Sequence, residues 1–162
     1  HEGHTSPNNR VYPFIKDVLS KSKERIIATI SPAHIYRLQE ILNACVKTRK
    51  KVVIMGKRLQ ELIIKSIELG YIDFDKNNIG DLSHINDSNV VIIISDEKEK
   101  PFMNLERIIK GFDKYIKLRE TDTIFITEPP YEGIEKRTAL IMDEIAKVGV
   151  TAISLSAKKR LV

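Results

Sequence analysis

Asn89-Val90-Val91-Ile92-Ile93-Ile94 carries five consecutive β-branched residues with no polar interruption. A strand with one wet face alternates apolar and polar residues, so an unbroken run predicts a strand covered on both faces, as in a parallel sheet between helices. The same reading extends outward to Arg25 to Ile30, Lys51 to Met55, Thr123 to Thr127 and Val150 to Leu155. The segments between them change period. Val11, Phe14, Ile15, Val18 and Leu19 fall on one helical face, as do Ile134, Thr138, Ile141, Ile145 and Val148. Gly70, Gly111 and Gly149 close helical patterns where a left-handed residue is wanted, and Pro13 and Pro101 sit close to helix starts. Repeated strand, loop and amphipathic helix predict a three-layer α/β domain with roughly five parallel strands and right-handed crossovers. Periodicity leaves the strand order open.

With 162 residues the chain is long enough for one domain with a real core. Residues 1–10 carry no apolar pattern and read as a lead-in segment, leaving 11–162 as a single domain. Both ends are expected to be cut from a longer polypeptide. The composition, 42% hydrophobic and 30% charged, excludes a disordered chain. Its apolar runs are far shorter than the roughly 20 residues of a membrane-spanning helix, so no membrane partner is expected. The one cysteine, Cys45, stands at helical spacing with Leu38, Ile41 and Leu42 and reads as a buried thiol. With no disulfide framework and no secretory-signal pattern, the expected compartment is the cytoplasm. A net charge of +5 permits binding to a polyanion and is too small to establish it.

In parallel sheets ligands meet the loops that leave the carboxyl ends of the strands. Here those loops are Ser31 to His34, Gly56 to Arg58, Ser95 to Pro101 and Glu128 to Gly133. None has a P-loop or dinucleotide glycine pattern. Gly56-Lys57-Arg58 either holds a phosphate weakly or is a solvated helix start. A phosphorelay receiver would use Asp96, yet Ser31-Pro32 stands where its acidic pair belongs. The histidines are scattered at His1, His4, His34 and His84, so no metal or cofactor site is expected within this chain, nor a nucleophile paired with a base. Lys47, Arg49, Lys50 and Lys51 fit a helix end, where cations meet the dipole. Lys98 and Lys100 lie in a ligand-side loop, and Lys158-Lys159-Arg160 reads as a solvated tail or a severed connection.

Several fragments, taken in order, resemble the β-CASP domain of the ribonuclease J family, within a Rossmann-like fold. His4-Thr5-Ser6 is similar to the family's G-x-T-x-S-E. Arg25-Ile26-Ile27-Ala28-Thr29-Ile30 followed by Ile35-Tyr36-Arg37-Leu38-Gln39 resembles R-I-I-x-A-T-F-A-S-N-I-H-R-L-Q-Q. Arg49-Lys50-Lys51-Val52-Val53-Ile54-Met55-Gly56-Lys57 resembles G-R-K-V-A-V-x-G-R, and Glu68-Leu69-Gly70-Tyr71-Ile72 resembles E-L-G-Y-L. Where the family carries T-G-S-Q-G-E-P, this chain reads Ser95-Asp96-Glu97-Lys98-Glu99-Lys100-Pro101, with both glycines replaced by acids. Where the family has S-P-I-P-G-N, the chain has Pro129-Pro130-Tyr131-Glu132-Gly133-Ile134.

The resemblance implies a domain inserted into a metallo-β-lactamase unit that holds two metal ions, commonly zinc. It also implies 5′ to 3′ exonuclease and endonuclease activity on mRNA and rRNA in active members. The departures suggest a diverged, weakly active or inactive paralogue. Its expected role is to form one wall of an RNA channel and to support assembly with a paralogous ribonuclease J subunit or a second copy. Candidate RNA contacts are Ser31, His34, Arg37, Lys57, Arg58, Lys98 and Lys100. His34 and Arg37 also fit a purely structural role at a helix start. Two other readings compete: a noncatalytic module that holds an active paralogue, and a small-molecule or nucleotide-binding domain.

Overall fold

The computed structural model describes residues 5–127 and 133–155, with side chains from Arg10 onward. Six parallel strands form one sheet: β1 Ile26–Ile30, β2 Lys51–Ile54, β3 Ile79–Gly80, β4 Val90–Ser95, β5 Thr123–Ile126 and β6 Thr151–Ser154. Their order is β3-β2-β4-β1-β5-β6. The five long strands are those expected from the apolar runs. The sixth, β3, pairs only Ile79 and Gly80 with Val52 and Val53, too short to register as a hydrophobic pattern.

Five α-helices flank the sheet: α1 Thr5–Lys21, α2 Ile35–Lys47, α3 Lys57–Glu68, α4 Met103–Ile109 and α5 Glu135–Lys147. Side chains alternate along each strand, and this sorts the core into two layers. Ile26, Ala28 and Ile30 of β1 join Val52, Val91 and Ile93 in packing under α1, α2 and α3. Ile27 joins Val53, Ile92, Ile94 and Ile124 under α4 and α5. Every residue of β1 is buried, which is why the strand sequences show no polar alternation. Phe14 of α1 meets Phe125 of β5 edge to face, with ring centroids 6.2 Å apart.

Three details differ from the sequence reading. Helix α1 begins at Thr5, so the lead-in segment is helical from Thr5 to Arg10, and Pro13 lies inside the helix rather than at its start. Pro13 is exposed, where its ring faces solvent and the missing N–H costs one helical bond. Val148, placed on the buried face of α5, is 44% exposed because it is the C-terminal cap residue, where the helical register ends. Gly70, Gly111 and Gly149 do close their helices with φ of 84°, 80° and 81°.

At the amino-terminal edge of the sheet the chain buries a complete ion pair. Arg25 and Asp122, both with fully buried side chains, meet in a bidentate contact: Nε donates to Oδ1 at 2.9 Å and Nη2 to Oδ2 at 2.7 Å. The guanidinium also donates to the carbonyls of Ile85 and Lys117, at 2.7 and 2.6 Å. Asp122 accepts in addition from the Arg119 N–H at 2.8 Å. A buried charge pair is tolerable when its remaining donors and acceptors are satisfied, and these are.

Candidate functional site

Parallel strands bring the loops after β1, β2, β4 and β5 to one edge. β1 and β4 are neighbours, yet β1 continues into α2 on one face and β4 into α4 on the other. The chain therefore diverges between them, the kind of switch point at which α/β sheets open a crevice. The strand ends there are tightly fastened: the Asp96 N–H donates to the Ile30 carbonyl at 2.7 Å, and the Thr127 hydroxyl donates to the Thr29 carbonyl.

The seven candidate residues fall into two groups. Ser31 is 8% exposed and shapes the turn after β1, its hydroxyl accepting from the Ala33 N–H at 3.2 Å. Arg37 is 5% exposed, and its Nη1 donates to Glu40 at 2.6 Å within α2. Burial raises the Glu40 carboxyl against the pull of Arg37. His34 is half-buried and packs edge to face on Tyr36, centroids 5.7 Å apart. These three build the β1 loop, and the structure gives Ser31 and Arg37 little surface for a ligand. Lys57, Arg58, Lys98 and Lys100, by contrast, are all exposed on the same edge. Of the basic cluster assigned to the end of α2, Lys50 and Lys51 do something else. Lys50 Nζ donates to the Ser22 carbonyl and to Asn89 Oδ1, both at 2.6 Å, and Lys51 opens β2.

Two clefts flank the end of β4. One, of about 310 Å³, lies between Arg58, Ser95, Glu97, Glu99, Lys100 and Asn104. The other, of about 330 Å³, is bounded by Gly56, Ser95, Asn104, Arg107 and Lys114. Asn104 joins them: its Nδ2 donates to the Ser95 carbonyl at 3.0 Å, and its Oδ1 accepts from Arg107 at 2.7 Å. Sequence reasoning missed Asn104 and Arg107, although their i, i+3 spacing at the start of α4 was a usable signal. Arg137 was also missed. It reaches from α5 to donate to the Pro101 carbonyl at 3.1 Å, a contact only the tertiary fold creates.

The loop after β4 closes on itself. Its Lys100 N–H donates to the Glu97 carbonyl at 3.0 Å, and Asp96 Oδ1 accepts from the Phe102 N–H at 2.6 Å. Phe102 precedes α4 with φ of 64°, a left-handed conformation that costs a non-glycine residue energy, and the Asp96 contact helps to hold it. Burial pushes the Asp96 carboxyl up to about 6, although the Phe102 N–H and Arg137 pull the other way. A carboxylate so placed is a loop latch and is poorly exposed for phosphorylation. The Glu128 to Glu132 part of the β5 loop and Lys158-Lys159-Arg160, like His1 and His4, lie outside the described residues.

Among the described residues no group of three or more His, Cys, Asp or Glu side chains gathers into a metal-binding cluster. Cys45 is 1% exposed, and burial pushes its thiol up to about 12. Among the same residues no helix is long and apolar enough to cross a membrane. Among the described residues the site is a cation-bearing edge of a doubly wound sheet, with Glu97 and Glu99 set beside Arg58 and Lys100.

Comparison with known proteins gives that class a family. Residues 23–145 match the family described as Ribonuclease J, beta-CASP domain, and the chain belongs to it. It is 28% identical to Ribonuclease J2 of Bacillus subtilis, over 98% of this chain and 29% of that protein. It is 25% identical to Ribonuclease J of Mycoplasma pneumoniae, over 98% of this chain and 28% of that protein. Against Ribonuclease J 1 of Streptococcus pyogenes the identity is 30%, over 80% of this chain and 24% of that protein. The chain thus spans less than a third of the length of these relatives.

Proposed function

We propose that this domain forms one wall of an RNA channel in a ribonuclease J-like RNA-processing protein of the cytoplasm. The observation that carries the reading is the exposure of Lys57, Arg58, Lys98 and Lys100 on the carboxyl edge of the sheet, beside the clefts between the ends of β2 and β4. Exposed cations there would contact phosphates, while Ser31, His34 and Arg37 would set the shape of the β1 loop. The relatives' names support RNA as the substrate class; 5′ to 3′ exonucleolytic and endonucleolytic cleavage of mRNA and rRNA is the activity that the family resemblance implies for the longer protein. Its two metal ions, zinc by expectation, would be held by a second domain, since the described residues bring no ligand set together. The domain would position RNA, and the metal unit would supply the activated water.

A second reading is favoured by the loop after β4. Glu97 and Glu99 line the cleft beside Arg58 and Lys100 and would repel a phosphate entering it. This suits a weakly active or inactive paralogue that serves as a noncatalytic partner of an active ribonuclease J subunit, or that self-associates. Titrating a labelled oligoribonucleotide into the chain at several salt concentrations separates the two. A channel wall predicts that log affinity falls linearly with log salt, and that replacing the four cations by alanine flattens the slope by about one unit per lost phosphate contact. RNA binding that ignores both salt and these substitutions would move the assignment to the interaction module.

A further inference from the structure

At the opposite end of β2 the molecule carries a second concave site of about 510 Å³, larger than either cleft at the carboxyl edge. It lies where α2 turns into β2 and beside the short edge strand β3. Its rim holds Arg49, Lys51, His84, Asn77 and Asn78, and its apolar side is formed by Val46 and Phe74. Among the described residues no acid lines it, although Asp87 ion-pairs with Lys51 beside the rim, and the wall presents Arg49, Lys51 and amide donors next to a hydrophobic surface. Val46 is 60% exposed and Phe74 is half-buried, packed against the core below.

The site is held from several directions. Gln39 of α2 pins the 73–78 loop through both of its amide atoms, donating to the Asp73 carbonyl at 2.9 Å and accepting from the Asp73 N–H at 2.8 Å. Asp75 caps the next turn by accepting from the Asn77 N–H at 2.9 Å. Asp87 contacts two of the rim side chains: Oδ2 lies 2.9 Å from His84 Nδ1 and 3.2 Å from Lys51 Nζ. The His84 ring needs the space that Gly80 leaves, because a Cβ there would lie 3.2 Å from its Cδ2.

Arg49 supplies the most telling feature. It adopts φ of 59° at the close of α2, a left-handed position that glycine fills at low cost and that costs an L-residue roughly 1–2 kcal/mol. Arginine instead places a guanidinium on the rim of the pocket at a cost to the backbone, and strain of this kind points to a use for the side chain.

We propose that this pocket binds a nucleoside phosphate, with the phosphate on Arg49 and Lys51, the Asn77 and Asn78 amides as further donors, and the base against Phe74 and Val46. The volume lies within the range of small-ligand sites, about 300–1,000 Å³. The bound group is either a free mononucleotide or one nucleotide of an RNA strand, which would lie outside the channel wall at the carboxyl edge. The proposal does not depend on that wall.

The test is an amide-resolved NMR titration of the 162-residue chain with AMP, with inorganic phosphate and with a short oligoribonucleotide, repeated on Arg49→Gly. The expected result is saturable AMP shifts at Arg49, Lys51, Asn77, Asn78 and Gly80. Arg49→Gly should weaken AMP about tenfold while the protein becomes no less stable to urea. A purely structural Arg49 would not give that combination. If the oligoribonucleotide displaces AMP from the same amides, the source is an RNA strand; if it leaves AMP in place, the ligand is the free mononucleotide. The proposal is overturned if neither probe shifts these amides, if phosphate alone reproduces the AMP response, or if Arg49→Gly binds AMP as the unaltered chain does.

Discussion

The two ends of the sheet bury charge in opposite ways. At the amino-terminal edge Arg25 and Asp122 face each other, with their further contacts taken up by backbone groups and, for Arg25, by the Asn86 side chain. At the carboxyl edge Asp96, 6% exposed, accepts from the Phe102 N–H, and among the described residues Arg137 attracts it without forming an ion pair. The first arrangement cross-links segments that lie 97 residues apart in sequence. The second leaves an acid that holds its proton more tightly than an ordinary carboxyl, in a loop only seven residues from strand to helix. Stability is thus concentrated at the end away from the candidate RNA face. The candidate edge carries the buried acid with fewer partners, in a loop set over a rigid scaffold.

The sharpest way to break this contrast is Asp122→Ala. It leaves Arg25 buried without its counter-charge and should lower unfolding stability by about 3–5 kcal/mol, measured by urea denaturation. A loss below 1 kcal/mol would show that the amino-terminal edge is no more committed than the other. Next in size, Ile92→Ala in the strand shared by both edges should cost about 2–5 kcal/mol by the same measurement.

Asp96→Asn tests the other end with the sign reversed. The folded-state value of about 6 lies above the ordinary 3.8, so the native protein holds this proton more tightly than the unfolded chain. The stability tied to neutral Asp96 is complete below about pH 3.8 and is lost as pH rises through 6. Asparagine keeps the acceptor for Phe102 and carries no charge. Asp96→Asn should therefore be about 1–3 kcal/mol more stable than the unaltered chain at pH 8, with the gap closing toward pH 4. A gap independent of pH would remove the contrast. The smallest effect on stability is expected from Lys98→Ala with Lys100→Ala, within about 0.5 kcal/mol, while the salt dependence of RNA binding falls.

Much of the fold is legible in the residues. Five strands, four of the five helices with a near-correct start, and the glycine stops at 70, 111 and 149 follow from period and backbone chemistry alone. The start of α1 was not, because Thr5 to Arg10 carries no apolar stripe and is helical only as the continuation of one. Strand β3 was invisible because two residues have no period. At the site, the exposed cations were legible by their place in ligand-side loops, but the burial of Arg37 was not. Arg37, in the first turn of α2, fits either an RNA contact or a structural role by sequence, and only the tertiary packing leaves it 5% exposed.

Local information, then, determined the parallel α/β class, the buried character of Cys45, the loops on the ligand side and the family pattern, because each depends on residues within a few positions of one another. Tertiary structure alone decided the strand order, the switch point between β1 and β4, the Arg25–Asp122 pair and the pocket beside Arg49. Each of these joins segments tens of residues apart, and no period or propensity within a segment encodes which distant partner it will meet.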